Sequence, residues 1–227
     1  SPGGVALVES DGQWKRLVKP WPEEIDQWTH HLHGPDGNQV AEDTVVGPPE
    51  HFQWLAGPDW TRQHRYNLHT AMVSDAGRMF YVSNDVAVPT IDMLPDQLTL
   101  TARDAFSGVP LWKRRVQNAT DAVNSPLASE DALWNPEFPM ELKLVAVGDV
   151  LYAAFGWQGR VLALDGATGK TVKEYETTEA VEELIYYQGT LLTVQAPEAL
   201  RNGEDPGRLK RRIDPFDYDN HATVEKM

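Results

Sequence analysis

Three of the chain's seven histidines, His30, His31 and His33, fall within four positions of the stretch WTHHLH, with Asp26, Asp36 and Glu42 close by. Two or three imidazoles and a carboxylate are what zinc or manganese takes as ligands. On a helical turn His30 and His33 would share a face, and on a strand His31 and His33 would. The plainer alternative packs Trp28 and Leu32 inward and leaves the rings to bond backbone carbonyls or face solvent. Residues 34–38 (GPDGN) then make an ordinary turn. A second polar cluster holds His51, His64 and His69 with Arg62, Arg65 and Tyr66. His64, Arg65 and Tyr66 are types that can neutralise an anionic sugar and move a proton. A cationic surface segment would use the same residues. GATGKT, at 166–171, is not a phosphate loop: the required first glycine is Leu164, and a strand-like VKEY follows where a helix should open.

Composition limits what these residues can serve. The 227 residues suffice for a buried core, and 41% hydrophobic with 24% charged residues is ordinary for a globular chain. A formal charge of -14 argues against a nucleic-acid partner, and the one basic run, RLKRR at 208–212, is followed at once by acidic DPFDYD. With no cysteine, the chain can hold no disulfide, thiolate metal site or iron–sulfur cluster. No apolar run approaches the ~18 residues of a membrane span. The first ten residues, SPGGVALVES, lack the basic and long apolar regions of a signal peptide.

The elements that must position any site read as strands. RMFYVS (78–83), LTLTARD (98–104) and LWKRRV (111–116) form one group. ELKLVAV (141–147), VLYAAF (150–155), RVLALD (160–165) and TVKEY (171–175) form the next, and EELIYYQ (182–188) and TLLTVQ (190–195) begin a third. Tight Gly/Asp turns join them, which predicts four-stranded antiparallel meanders. Inside them a motif recurs 61 residues apart: ARDAFSG from Ala102 to Gly108 and ALDGATG from Ala163 to Gly169. Each aspartate, Asp104 and Asp165, is expected to cap a turn in which Ser107 or Thr168 also bonds. Gly108 and Gly169 supply the positive φ. Trp112, four residues beyond Gly108, would pack between neighbouring sheets; at the matching place the second copy has Lys173. Residues 117–140 read as an inserted loop. The glutamates at 174, 176, 179, 182 and 183 lack the spacing of a calcium loop and read as a solvated rim.

The pattern A-x-D-x-x-[S/T]-G-x-x-x-W resembles the repeat of the pyrroloquinoline-quinone (PQQ)-type, or quinoprotein, β-propellers, over roughly residues 72–195. The resemblance implies an all-β fold of about three propeller blades, an incomplete ring where complete ones have six to eight. It divides the chain into a tail of a preceding domain or linker (1–22), an irregular segment carrying WTHHLH (23–70), propeller blades (71–200) and a charged linker or tail (201–227). Residues 23–60 also resemble a block that precedes the propeller in large planctomycete-type bacterial proteins. SPGGVALVES is similar to the end of a methyltransferase domain found first in some of them.

The resulting expectation is a non-catalytic scaffold or interaction module, with the missing blades supplied by the same precursor, a second copy or another chain. The alternative is a propeller enzyme acting on an anionic sugar or small organic substrate through the N-terminal His/Arg/Tyr residues, with metal assistance from His30, His31 and His33. A PQQ-dependent dehydrogenase ranks third, because an open arc without cysteines is not expected to hold PQQ by itself. The resemblance also implies a periplasmic or other extracytoplasmic location.

Overall fold

The computed structural model describes residues 2–45, 47–48, 50, 52–55, 69–84, 98–116, 143–155, 159–178, 180–195 and 223–226. They contain thirteen strands and no α-helix. A hairpin of β1 (Val5–Ser10) and β2 (Gln13–Val18) comes first. The first blade is the meander β3 (His69–Asp75), β4 (Arg78–Asn84), β5 (Leu98–Asp104) and β6 (Pro110–Arg115). The second is β7 (Leu144–Val147), β8 (Val150–Ala154), β9 (Val161–Asp165) and β10 (Thr171–Tyr175). The third sheet joins β11 (Val181–Tyr187), β12 (Thr190–Gln195) and β13 (Thr223–Lys226). All neighbours are antiparallel, and the three sheets do not close into a ring.

Alternation of side chains decides how the sheets stack. One face of the second blade, with Leu144, Ala146, Leu151, Ala153 and Leu164, shares a core with Val73, Phe80, Val82, Leu100 and Ala102 of the first. Its other face, with Val145, Ala154 and Val161, shares a core with Val181, Leu184 and Leu191 of the third. The first three strands of the middle sheet are therefore covered on both sides, which explains their nearly continuous apolar sequences, whereas β10 is exposed. β3, β7 and β11 are the first and innermost strands and lie next to one another.

Both motif copies fold into the same turn. The Asp104 Oδ1 atom accepts the amides of Phe106 and Ser107 and the Ser107 hydroxyl, and the Gly108 amide donates to the Asp104 carbonyl. Asp165 does the same with the Thr168 amide and hydroxyl and the Gly169 amide. These donors hold the carboxyl of Asp165 below the usual range; for Asp104 they outweigh a burial effect of opposite sign. Gly108 and Gly169 sit at φ 71° and 69°. A Cβ at Gly169 would strike the indole of Trp112, whose Nε1 donates to the Gly166 carbonyl at 2.9 Å. The tryptophan of one blade thus seats on the motif turn of the next. Lys173, at the matching place on β10, instead lays its ammonium 4.2 Å from the Tyr175 ring.

Several elements escaped the sequence. β1 and β2 have every residue exposed, so no burial pattern marks them. β3 opens at His69, inside what read as a polar cluster, because its core-facing residues are only Ala71 and Val73. β13 is four residues long and pairs with β12 from Leu192–Lys226 to Gln195–Thr223. The glutamate rim is also uneven: Glu174 and Glu176 are exposed, whereas Glu182 and Glu183 are only partly so. Burial raises the Glu182 carboxyl, while Lys143, itself buried and lowered, pulls the other way. Residues 117–140 and Glu179 lie outside the described residues.

Replacing Trp112 with Ala should cost at least about 2 kcal/mol, less than the ~3–5 of a fully buried tryptophan because Trp112 is only partly covered. Gly169→Ala should cost about 1 kcal/mol or more from its φ alone, with the collision added. Urea unfolding of the two variants, with Lys173→Ala as a near-neutral comparison, checks both.

Candidate functional site

The innermost strand of a meander has one row of backbone amides that no neighbouring strand can pair. Trp28, Thr29 and His30 run across three such rows. The Trp28 carbonyl accepts the Ser74 amide of β3 at 2.6 Å, and the Thr29 carbonyl accepts the Ala146 amide of β7 at 3.0 Å. The His30 Nε2 atom accepts the Tyr186 amide of β11 at 3.0 Å. The Trp28 amide in turn donates to the Ser74 hydroxyl. These amides occupy equivalent places. Ser74, Ala146 and Tyr186 each stand one residue before the last pair of their hairpins, Asp75–Arg78, Val147–Val150 and Tyr187–Thr190. Three consecutive residues therefore strap three consecutive blades at one level.

A tight fold of the following residues holds the strap in shape. The His30 amide donates to the His33 carbonyl, and the Trp28 Nε1 atom donates to the His31 carbonyl. His33 takes φ 77°, a left-handed conformation uncommon outside glycine. WTHHLH is thus neither a helix nor a regular strand, so neither spacing argument applies to it as it stands. The carboxylate of Asp26 anchors the turn: its Oδ1 accepts the Gln27 amide, and its Oδ2 accepts the Glu42 amide and His33 Nε2, the last at 2.6 Å. His33 Nδ1 donates to the Asn38 carbonyl.

His30 is buried, and its hydrogen bonds define its tautomer. The Thr29 hydroxyl donates to the His33 carbonyl, so it accepts from His30 Nδ1–H at 2.8 Å, and Nε2 is left to accept Tyr186 N–H. The ring is neutral in this arrangement. Burial lowers its tendency to protonate, against an opposing pull from the Asp36 carboxylate. For Asp26, burial raises the carboxyl, but the Glu42 and Gln27 amides and His33 outweigh it and the net effect is downward.

His30 and His33 therefore point at different partners and do not converge, and both nitrogens of each ring are hydrogen-bonded. Among the described residues no group of three His, Asp or Glu side chains could hold a metal ion. A cavity of about 210 Å³ lies beside the strap, with His31, Asp36, Leu144, Glu183 and Leu184 in its wall. His64, Arg65 and Tyr66, and His51, lie outside the described residues. Sequence reasoning missed Asp26 as the hub, Thr29 as the relay between two histidines, and Trp54. The Trp54 Nε1 atom donates to the Ala105 carbonyl at 3.2 Å. Trp54 had no upstream motif copy to mark it.

The strap should loosen in acid, in two stages. His30 is depressed in the folded chain, so its contribution is complete above the ordinary value of 6.5 and is lost as pH falls below it. Asp26 is depressed below its ordinary 3.8 and gives way only at still lower pH. Hydrogen exchange at the Tyr186 amide, corrected for intrinsic rate, should accelerate between pH 7.5 and 5. In His30→Gln, which offers an amide oxygen as acceptor and cannot protonate, that pH dependence should flatten.

No protein-family profile matches the sequence, and no curated protein matches it. Among solved structures the chain is similar to a europium-containing methanol dehydrogenase, at 13% identity and TM-score 0.47, over 76% of this chain and 28% of that one. It is also similar to the quinohemoprotein alcohol dehydrogenase of Comamonas testosteroni, at 16% identity and TM-score 0.36, over 57% and 17%. A third is the computationally designed Ika8 protein, at 13% identity and TM-score 0.24, over 55% and 42%. The chain spans less than half the length of each. Stacked four-stranded meanders, adjacent first strands and a repeated tryptophan seat make the described residues an open arc of β-propeller-type blades.

Proposed function

We propose that the chain is a non-catalytic segment of a PQQ-like β-propeller, a rigid scaffold and interaction module within a larger protein or assembly. The observation that carries this reading is the commitment of the histidines. His30 accepts a backbone amide of β11, and His33 bridges Asp26 and a backbone carbonyl. Bonds of this kind tie the two rings to the frame of the blades and support a structural role for them. The remaining blades come from the same precursor, a second copy or another chain, because three sheets leave a ring of six to eight incomplete. A location outside the cytoplasm belongs to the same proposal and rests on the repeat motif; among the described residues no helix is long and apolar enough to cross a membrane.

The described residues do not fit PQQ. Three sheets wall no closed axial pocket, and Trp28–His30 already cover the inner edges where one would open. An enzyme acting on an anionic sugar through the cavity beside the strap is opposed by charge, since Asp36 and Glu183 line it.

Plasma mass spectrometry of protein purified without chelators or affinity nickel tests the reading. Metal well below one equivalent, equal in wild type and in His30→Ala/His33→Ala, is the expected result. Near-stoichiometric zinc, manganese or iron that disappears in the variant would replace the scaffold with a metalloenzyme.

A further inference from the structure

The two junctions between the sheets are built from different chemistry. Directed bonds cross the first. Trp112 Nε1 donates to the Gly166 carbonyl, and the Arg114 guanidinium donates to the Thr171 hydroxyl at 3.0 Å. The Arg78 guanidinium meets the Asp149 carboxylate at 2.7 Å, and the Gly148 amide donates to Asp75 Oδ2 at 2.6 Å. Beneath these bonds lies a core that includes the fully buried Phe80, Leu100, Leu144 and Leu164.

The second junction buries charge. Leu144 faces the first blade and Val145 the third sheet, so alternation turns Lys143, two residues before Val145, toward the third sheet as well. It is only 5% exposed. Glu182, two residues before Leu184, looks back from β11. Burial lowers the amine and raises the carboxyl, and in each case the other's charge pulls the opposite way. Among the described residues no ion pair at contact distance joins the two. Buried charges held apart regain little of the hydration they have lost.

Thr193 adds to that cost. It stands opposite Leu184 in the ladder, on the face toward the second blade, and its buried hydroxyl has no hydrogen-bond partner. The first blade has such a hydroxyl too, in Thr101, but there it points away from the second blade, because the adjacent Ala102 faces it. At the outer edge Lys173 leaves the second junction without an indole seat of the kind Trp112 makes.

We propose that the third sheet opens from the second as a separate unit while the first two blades stay joined. This adds one joint to the scaffold reading without depending on it. The third sheet is held by the core that Val181 and Leu184 enter, by the stacked Tyr152–Tyr186 pair, and by the bond from the Tyr186 amide to His30 Nε2. Opening returns Lys143, Glu182 and the Thr193 hydroxyl to water, which lowers the cost of parting these two sheets and not the first two. It also removes the apolar support beneath β11 and β12, so their ladder amides are released in the same event.

Hydrogen exchange of the whole chain in rising, sub-denaturing urea tests this. Ladder amides of β11 and β12 should exchange through an opening at least about tenfold more populated than the one serving β4, β5 and β8, with a weaker urea dependence because less surface is exposed. Thr193→Val keeps the shape and removes the unpaired hydroxyl, and should slow exchange in β11 and β12 about fivefold or more. Lys143→Met/Glu182→Met should slow the same amides, whereas Lys143→Met alone leaves a buried carboxylate without its counter-charge and should speed them. A single opening with one urea dependence for all five strands overturns the proposal. So does Thr193→Val with unchanged exchange in β11 and β12. Should the charge variants fail to fold, the wild-type urea series and Thr193→Val still decide.

Discussion

Unpaired backbone amides on the inner edge of each sheet are the constraint from which much of this architecture follows. A meander pairs its own strands and leaves the outward N–H groups of its first strand without partners. In β3, β7 and β11 one such group each falls at the same level, and Trp28, Thr29 and His30 supply three acceptors in a row. A net bond of this kind contributes only about 1 kcal/mol, so the gain lies less in any one of them than in register. Two of the acceptors are backbone carbonyls and the third is the His30 ring, so only one register places the imidazole at β11. Asp26 and the left-handed His33 make sense in that light, since they hold the turn that keeps the three acceptors in step.

The blades are joined differently at their outer edge. There the seat of an indole on a motif glycine combines shape with a single hydrogen bond, and the aspartate that caps the turn gives the glycine its conformation. Inner strap and outer seat act on opposite sides of a sheet whose two faces are both core. The second blade, so held, has little freedom to slide against the first.

How much of this could be read in advance depended on whether the signal was local. Asp104, Gly108, Asp165 and Gly169 were legible because the bonds that join the motif's Asp to its Ser or Thr and its Gly span four residues or fewer. Trp112 was legible from its fixed distance to Gly108. Trp54 performs the same role without a motif upstream, so only its contact with Ala105, 51 residues away, reveals it. The histidines show the limit most clearly. Their spacing allows several ligand geometries, but their role is set by Tyr186, 156 residues distant, and by a left-handed turn that no periodicity announces. β1 and β2 were missed because a strand with no buried side leaves no alternation to find.

Lys173 gives the arc unequal stiffness. Between the first and second blades an indole is keyed into a glycine turn, whereas the equivalent residue of β10 is a flexible ammonium resting on its own strand's Tyr175. The ammonium–ring contact is satisfied inside the blade and exerts no grip on a neighbour. The third sheet is thus joined to the second by the core that Val145, Ala154 and Val161 share with Val181, Leu184 and Leu191, and by the stacked Tyr152–Tyr186 pair. Bending of the arc should concentrate at this junction, as a door swings on its hinged side, and the outer rim beyond β10 can yaw while the axis stays put.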